Sequence, residues 1–166
     1  MRVLVVYDSI FGNTELVAHA ISQALPSKEE VAVVRVSEVK PEQLTGLELL
    51  IVGSPTRGFR PTETTASFLK ALPTHGLQGV KVAAFDTRLS LSNIKSPPVR
   101  LLVKTGGYAA KRIADQLKKK GGEMIIPAEG FLVVGEKGPL KEGELERAAD
   151  WAKRIAESEK PAGRES

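Results

Sequence analysis

The residues of this chain best suited to chemistry crowd into one short segment, Asp8-Ser9-Ile10-Phe11-Gly12-Asn13-Thr14-Glu15, between an apolar run and an amphipathic one. Ser9, Asn13 and Thr14 bring side-chain donors into a tight turn. Gly12 lets the backbone approach a ligand, and a helix starting here aims its free amides into the turn. Hydroxyls beside a helix N-terminus form an anion site suited to phosphate. No Lys or Arg lies within the turn, so a phosphate there would rest on neutral donors and the helix dipole, the latter contributing roughly 0.3–2 kcal/mol. The same residues also suit an ordinary polar turn in which Ser9 and Asn13 cap the helix. Spacing alone leaves both readings open.

Other chemistries are excluded by what the chain lacks. It has no cysteine, which removes disulfide scaffolds, thiolate-ligated zinc, iron–sulfur clusters and cysteine nucleophiles. Its two histidines, His19 and His75, cannot assemble a histidine-rich metal site. The nearest approach to a Walker A loop, Gly130 to Gly135, runs into Glu136 where Lys is required, and no Gly-x-Gly-x-x-Gly follows an apolar run. A phosphoacceptor domain would need an Asp where the third apolar run ends in Gly53-Ser54-Pro55. Lys118-Lys119-Lys120 closes an amphipathic run and complements a helix dipole. Without an aromatic platform beside the basic residues, no nucleic-acid partner is expected.

The elements that must position the turn alternate along the chain. Strands are expected at Arg2–Tyr7, Val31–Val36, Glu48–Ser54, Val80–Asp86 and Met124–Gly135. Most are almost continuously apolar, which suits strands covered on both faces of a parallel sheet. Pro127 and the pair Glu129-Gly130 should bend or bulge the last, as an edge strand tolerates. Helical stripes run from Leu16 to Leu25, from Ala66 to Leu72, from Ala109 to Leu117 and from Leu145 to Ala156, with a further short turn over Lys40–Leu44. This alternation reads as a doubly wound α/β fold, in which ligands sit beyond the carboxyl ends of the strands. The loops after Tyr7, Ser54 and Asp86 are therefore the ones that matter, and the connection from Asp86 to Gly107 is long enough to be functional.

With 166 residues, one domain over residues 1–157 is expected, followed by a frayed polar tail over 158–166. The formal charge, 24 − 20 = +4, is a weak indication of acidic partners. No apolar run reaches the roughly 20 residues that span a bilayer, and the opening apolar run meets Asp8 where a signal peptide would have a cleavage site. With cysteine absent as well, a cytoplasmic protein is expected.

Ser9-x-x-Gly12-Asn13-Thr14 after the first strand, with Val52-Gly53-Ser54-Pro55-Thr56 ending the third, resembles the flavodoxin family, from Arg2 to about Ile155 and in element order as well as motif. The resemblance is to the short-chain type, since no long insertion interrupts the fifth strand. It implies a five-stranded parallel sheet of order 2-1-3-4-5 with helices on both faces, and a non-covalent FMN. It places the phosphate on Ser9, Ile10, Phe11, Gly12, Asn13 and Thr14. The flavin ring would lie between Pro55, Thr56, Arg57, Gly58 and Phe59 on one side and Asp86, Thr87 and Arg88 on the other.

The chain also departs from the family. Phe59 is the only aromatic of its second loop, the third has none before Tyr108, and Trp151 falls beside the apolar stripe of the last helix. Sparse aromatic cover implies weaker flavin binding, at about 0.5–1.5 kcal/mol per contact. Electron-carrier flavodoxins tend to be acidic, whereas six basic residues and no acid lie between Asp86 and Asp115 here. Arg57, Arg60 and Arg88 near the flavin would favour its reduced anion and give a less reducing cofactor. The leading expectation is an FMN redox carrier serving a partner protein, as a monomer or homodimer, with all chemistry on the flavin. An NAD(P)H-dependent quinone or flavin reductase is the alternative, and the apolar stretch Val99–Val103 suits a lid, a dimer contact or ordinary packing. A flavin-free interaction module on the same fold is the third reading.

Overall fold

The computed structural model describes residues 1–26, 30–89, 97–98 and 108–158. Its strands are β1 (Arg2–Tyr7), β2 (Glu30–Arg35), β3 (Leu49–Pro55), β4 (Lys81–Leu89), β5 (Glu123–Met124) and β6 (Glu129–Val133). Its helices are α1 (Asn13–Ala24), α2 (Glu63–Ala71), α3 (Ala109–Lys119) and α4 (Glu144–Ser158). All strand pairings are parallel, in the order β2-β1-β3-β4-β5, with β6 also paired to β4. The expected order 2-1-3-4-5 is therefore present, with its fifth position filled by two short strands.

The continuous apolar runs have the cause inferred from sequence: each strand feeds two cores. Val3, Val5, Tyr7, Leu49, Ile51, Ala83 and Phe85 face α1 and α4. Leu4, Val6, Leu50, Val52, Val82 and Ala84 face α2 and α3. Successive strand residues point to opposite faces, so a strand with helices on both sides has no polar side to spare. Trp151, expected beside the apolar stripe of the last helix, is buried among the first set, edge-on to Phe85 and Phe131 at 6.1 Å from each.

The expected boundaries shift for identifiable reasons. The fifth strand splits because Pro127 cannot donate to the ladder, although the Ile125 amide still reaches the Val82 carbonyl at 3.3 Å. β4 runs on to Leu89, since Thr87 pairs with Pro55 on one side and Arg88 and Leu89 pair with Leu132 and Val133 on the other. Val36 leaves β2 to begin a 3₁₀ turn, and Pro41–Leu44 forms the short turn expected there. Leu16, Ala66 and Leu145 fall outside the buried stripes, which Thr14, Thr65 and Trp151 complete instead. α4 continues through Ser158, the first residue assigned to the tail from sequence. The rest of that tail, 159–166, lies outside the described residues, as do 90–96 and 99–107 of the long basic connection with its Val99–Val103 stretch. Among the described residues, no helix is long and apolar enough to cross a membrane.

Candidate functional site

A cleft of about 470 Å³ opens at the carboxyl ends of the strands, where the order reverses between β1 and β3 and ligands of such sheets are expected. It lies within the size range of small-molecule sites. Ser9, Ile10, Phe11, Asn13 and Thr14 line it from the β1–α1 turn, and Pro55, Thr56, Arg57, Gly58 and Phe59 from the β3–α2 loop. Thr87 and Arg88 complete the lining expected from sequence. Gly12 and Asp86 do not line it: Gly12 shapes the turn, and Asp86 is fully buried within β4 instead of opening a loop.

The β1–α1 turn leaves its donors unclaimed by the helix. Gly12 takes a left-handed conformation at φ 94° as the N-cap, a position that favours glycine, and no side chain caps α1. Its amide donates to Ser9 Oγ at 3.0 Å, and the first helical bond runs from the Leu16 amide to the Gly12 carbonyl at 3.1 Å. The amides of Asn13, Thr14 and Glu15 precede that bond and have no carbonyl within the helix. The reading of Ser9 and Asn13 as helix caps does not hold. Ser9 closes the turn on Gly12, and Asn13 donates to the Lys137 carbonyl at 3.2 Å. Thr14 is buried, and its hydroxyl meets that of Thr87 at 2.8 Å, joining the turn to β4 on the cleft floor.

The second wall is a tight turn. Arg57 and Arg60 exchange backbone hydrogen bonds at 2.8 and 3.0 Å around Gly58 and Phe59, both at positive φ. Arg57 projects toward the mouth, 5.9 Å from the centre of the Phe11 ring and 3.8 Å from Glu136. Thr56 accepts the Ala109 amide at 3.2 Å, which fixes the start of α3 against this loop.

The third wall centres on Arg88. Its guanidinium lies 3.7 Å from the centre of the Tyr108 ring and binds both oxygens of Asp86. Gly130 is opposite Asp86 in register, and any side chain there would collide with that guanidinium. Burial pushes the Asp86 carboxyl above its ordinary range, while Arg88, the Ala110 amide and the Thr56 hydroxyl oppose the shift. Tyr108 is likewise raised, chiefly by burial.

Sequence reasoning missed Leu89, Val133 and Glu136 in the cleft lining, and it noted Tyr108, which also lines the cleft, only as the nearest aromatic and not as a site residue. The rule that ligands sit at strand carboxyl ends pointed to the loop after the fifth strand as much as to the others, and Glu136 follows β6 there. Among the described residues, no cluster of His, Cys, Asp and Glu is placed to hold a metal ion.

The flavodoxin family model matches residues 5–151. A flavodoxin from the domain Archaea is 26% identical, with a TM-score of 0.75 over 95% of this chain and 97% of the other. Flavodoxin 2 of Bacillus cereus is 23% identical, with a TM-score of 0.74 over 95% and 99% of the two chains. The rubredoxin oxygen:oxidoreductase of the anaerobe Desulfovibrio gigas is 21% identical, with a TM-score of 0.72 over 95% of this chain and 35% of that one. The last two likenesses concern the fold alone. No curated protein sequence matches the chain.

Proposed function

Because this chain belongs to the flavodoxin family, whose members bind FMN, we propose that it binds FMN non-covalently in this cleft and carries electrons to and from a redox partner. The observation that carries the reading is the uncapped start of α1. Asn13 and Thr14, whose amides no helical carbonyl claims, line the cleft together with Ser9, and the paired hydroxyls of Thr14 and Thr87 lie beside them. That donor set fits a phosphate.

When bound, FMN supplies a ring that accepts and donates electrons. The residues of this chain anchor, orient and shield. Ser9 and the first turn of α1 would hold the phosphate. The Pro55–Phe59 loop and the Tyr108–Arg88 wall would bracket the ring, with Thr56 fixing one wall to the other through Ala109. No side chain of the cleft needs to give or take a proton. Because Asp86 neutralises Arg88, Arg88 contributes less positive field at the ring than a free arginine. This pairing weakens the expectation of a less reducing flavin.

Titration of the apo-protein with FMN, followed by flavin fluorescence, tests the reading. Stoichiometric binding is expected, with affinity falling about tenfold or more in Ser9→Leu as the turn loses its hydroxyl and gains bulk. Stepwise reduction of the complex should then resolve two one-electron stages. A single two-electron stage would favour reductase chemistry, and absence of binding would overturn the proposal.

A further inference from the structure

The turn that offers the phosphate donors is held from behind by a residue of the neighbouring strand. Arg35 ends β2 and lies opposite Tyr7, the last residue of β1, in the parallel register. Its guanidinium stands 5.2 Å from the centre of the Tyr7 ring. Nη1 donates to the Ser9 carbonyl at 2.9 Å and lies 3.4 Å from Asp8 Oδ1, and Nη2 lies 3.5 Å from Glu15 Oε2. One side chain thus ties together the strand end, the turn and the first turn of α1.

The same residues carry the negative charge nearest the turn. Asp8 Oδ1 accepts the Ser9 amide at 2.9 Å and Oδ2 accepts the Thr62 hydroxyl at 2.6 Å. Glu15 accepts the Tyr7 hydroxyl at 3.2 Å, and His19 lies 3.9 Å from it. Two carboxylates and a peptide carbonyl beside an anion site would repel a phosphate, and the repulsion grows as water is excluded. Arg35 engages all three, yet it does not line the cleft. It therefore acts on a bound anion only through the groups it holds.

We propose that Arg35 is a positioning residue for phosphate recognition: it draws the Ser9 carbonyl away from the anion and neutralises Asp8 and Glu15, so that the turn presents donors alone. The proposal rests on the flavin reading above and extends it to a residue distant in sequence from the motif. An exposed ion pair that merely stabilised the fold would affect every flavin alike. A positioning residue affects only ligands that carry the phosphate.

The experiment compares FMN with riboflavin, which has the same ring and no phosphate, on wild type, Arg35→Met and Arg35→Lys. FMN affinity is expected to fall about tenfold in Arg35→Met, by roughly the worth of one charge-assisted hydrogen bond, with riboflavin affinity within about twofold of wild type. Arg35→Lys, which keeps the charge but cannot fork to all three groups, should fall between. Equal losses for both ligands, or none for FMN, overturn the proposal. If Arg35→Met does not fold, Arg35→Lys is read by the same ratio. A wild-type protein that fails to prefer FMN over riboflavin removes the phosphate reading itself. A wild-type preference that both variants retain removes only the role of Arg35.

Discussion

Arg88 closes a two-pronged ion pair on Asp86, with Nε to Oδ1 at 2.6 Å and Nη2 to Oδ2 at 2.7 Å, from two positions along the same strand. Residues two apart on a strand share a face, so the pair needs no rearrangement of the backbone. Asp86 Oδ2 also accepts the Ala110 amide at 2.8 Å. The carboxylate thus occupies the N-terminus of α3 from inside the protein, while the N-terminus of α1 faces the cleft.

Replacing Asp86 with Asn should therefore be costly. The substitution leaves the Arg88 cation without its partner and puts a neutral group at the α3 terminus. Breaking a buried pair on one side costs about 3–5 kcal/mol, and partial access of Arg88 to water places this case near about 3. Urea denaturation reads the loss, and Asp86→Asn/Arg88→Met should recover part of it. A loss below about 1 kcal/mol would show that the pair is no more than a surface contact.

The charge at the cleft mouth gives a redox prediction. Arg57 and Glu136 stand 3.8 Å apart and are both well exposed, so each screens the other from a bound flavin. Glu136→Gln leaves Arg57 unbalanced and should raise the midpoint potential of the FMN complex. Through water at roughly 8 Å one charge is worth about 0.5 kcal/mol, on the order of 20 mV for one electron. Potentiometry at low and high salt checks it: the shift should shrink at high salt, and a shift to lower potential would contradict the assignment.

The contrast between Asp86 and the β1–α1 turn shows what could be read from sequence. The turn was legible because its residues are consecutive and its chemistry is local: glycine, hydroxyls and a helix start. The sheet was legible because covering both faces forces near-continuous apolar runs. Burial of Asp86 was not legible, because a charged residue at a strand end looks the same whether it meets water or a guanidinium. Arg35 was missed for a different reason. Its relation to Ser9 depends on strand register, and nothing local to Val34-Arg35-Val36 specifies which residue of β1 lies opposite. The exposure of Leu16 beside the buried Val17 and Ala18 likewise depends on tertiary packing, since the stripe from Leu16 to Leu25 is wider than the face that the sheet and α4 cover.

Gly53 offers a packing test. It lies opposite Phe85 in the β3–β4 register, and an added Cβ would run into the Phe85 ring. That ring is held edge-on by Phe131 at 6.2 Å and Trp151 at 6.1 Å, so it has little freedom to yield. Gly53→Ala should cost about 1–3 kcal/mol through overpacking. Trp151 is the only tryptophan of the chain, so its fluorescence during urea unfolding reports the loss directly. A neutral substitution would mean that the aromatic cluster repacks freely.

Acid should weaken the contact between β6 and α4. Glu144 receives the Leu132 amide at 2.7 Å and Arg147 Nη2 at 2.7 Å, and Arg147 also reaches Glu129 at 3.1 Å and covers the Phe131 ring. Burial raises the Glu144 carboxyl, but Arg147, the Leu132 amide and Lys141 together outweigh it and hold the group below its ordinary value. A carboxylate whose pKa is lower folded than unfolded binds fewer protons in the folded state. Its stabilisation is complete above the unfolded value, near about 4.3, and disappears as pH falls through the lower folded value. Glu144→Gln should therefore cost about 1 kcal/mol at neutral pH, a modest figure because Arg147 is partly solvated. The gap between wild type and variant should close below about pH 4. Urea denaturation at several pH values measures both, and a gap independent of pH would show that the ionised form of Glu144 contributes nothing to the fold.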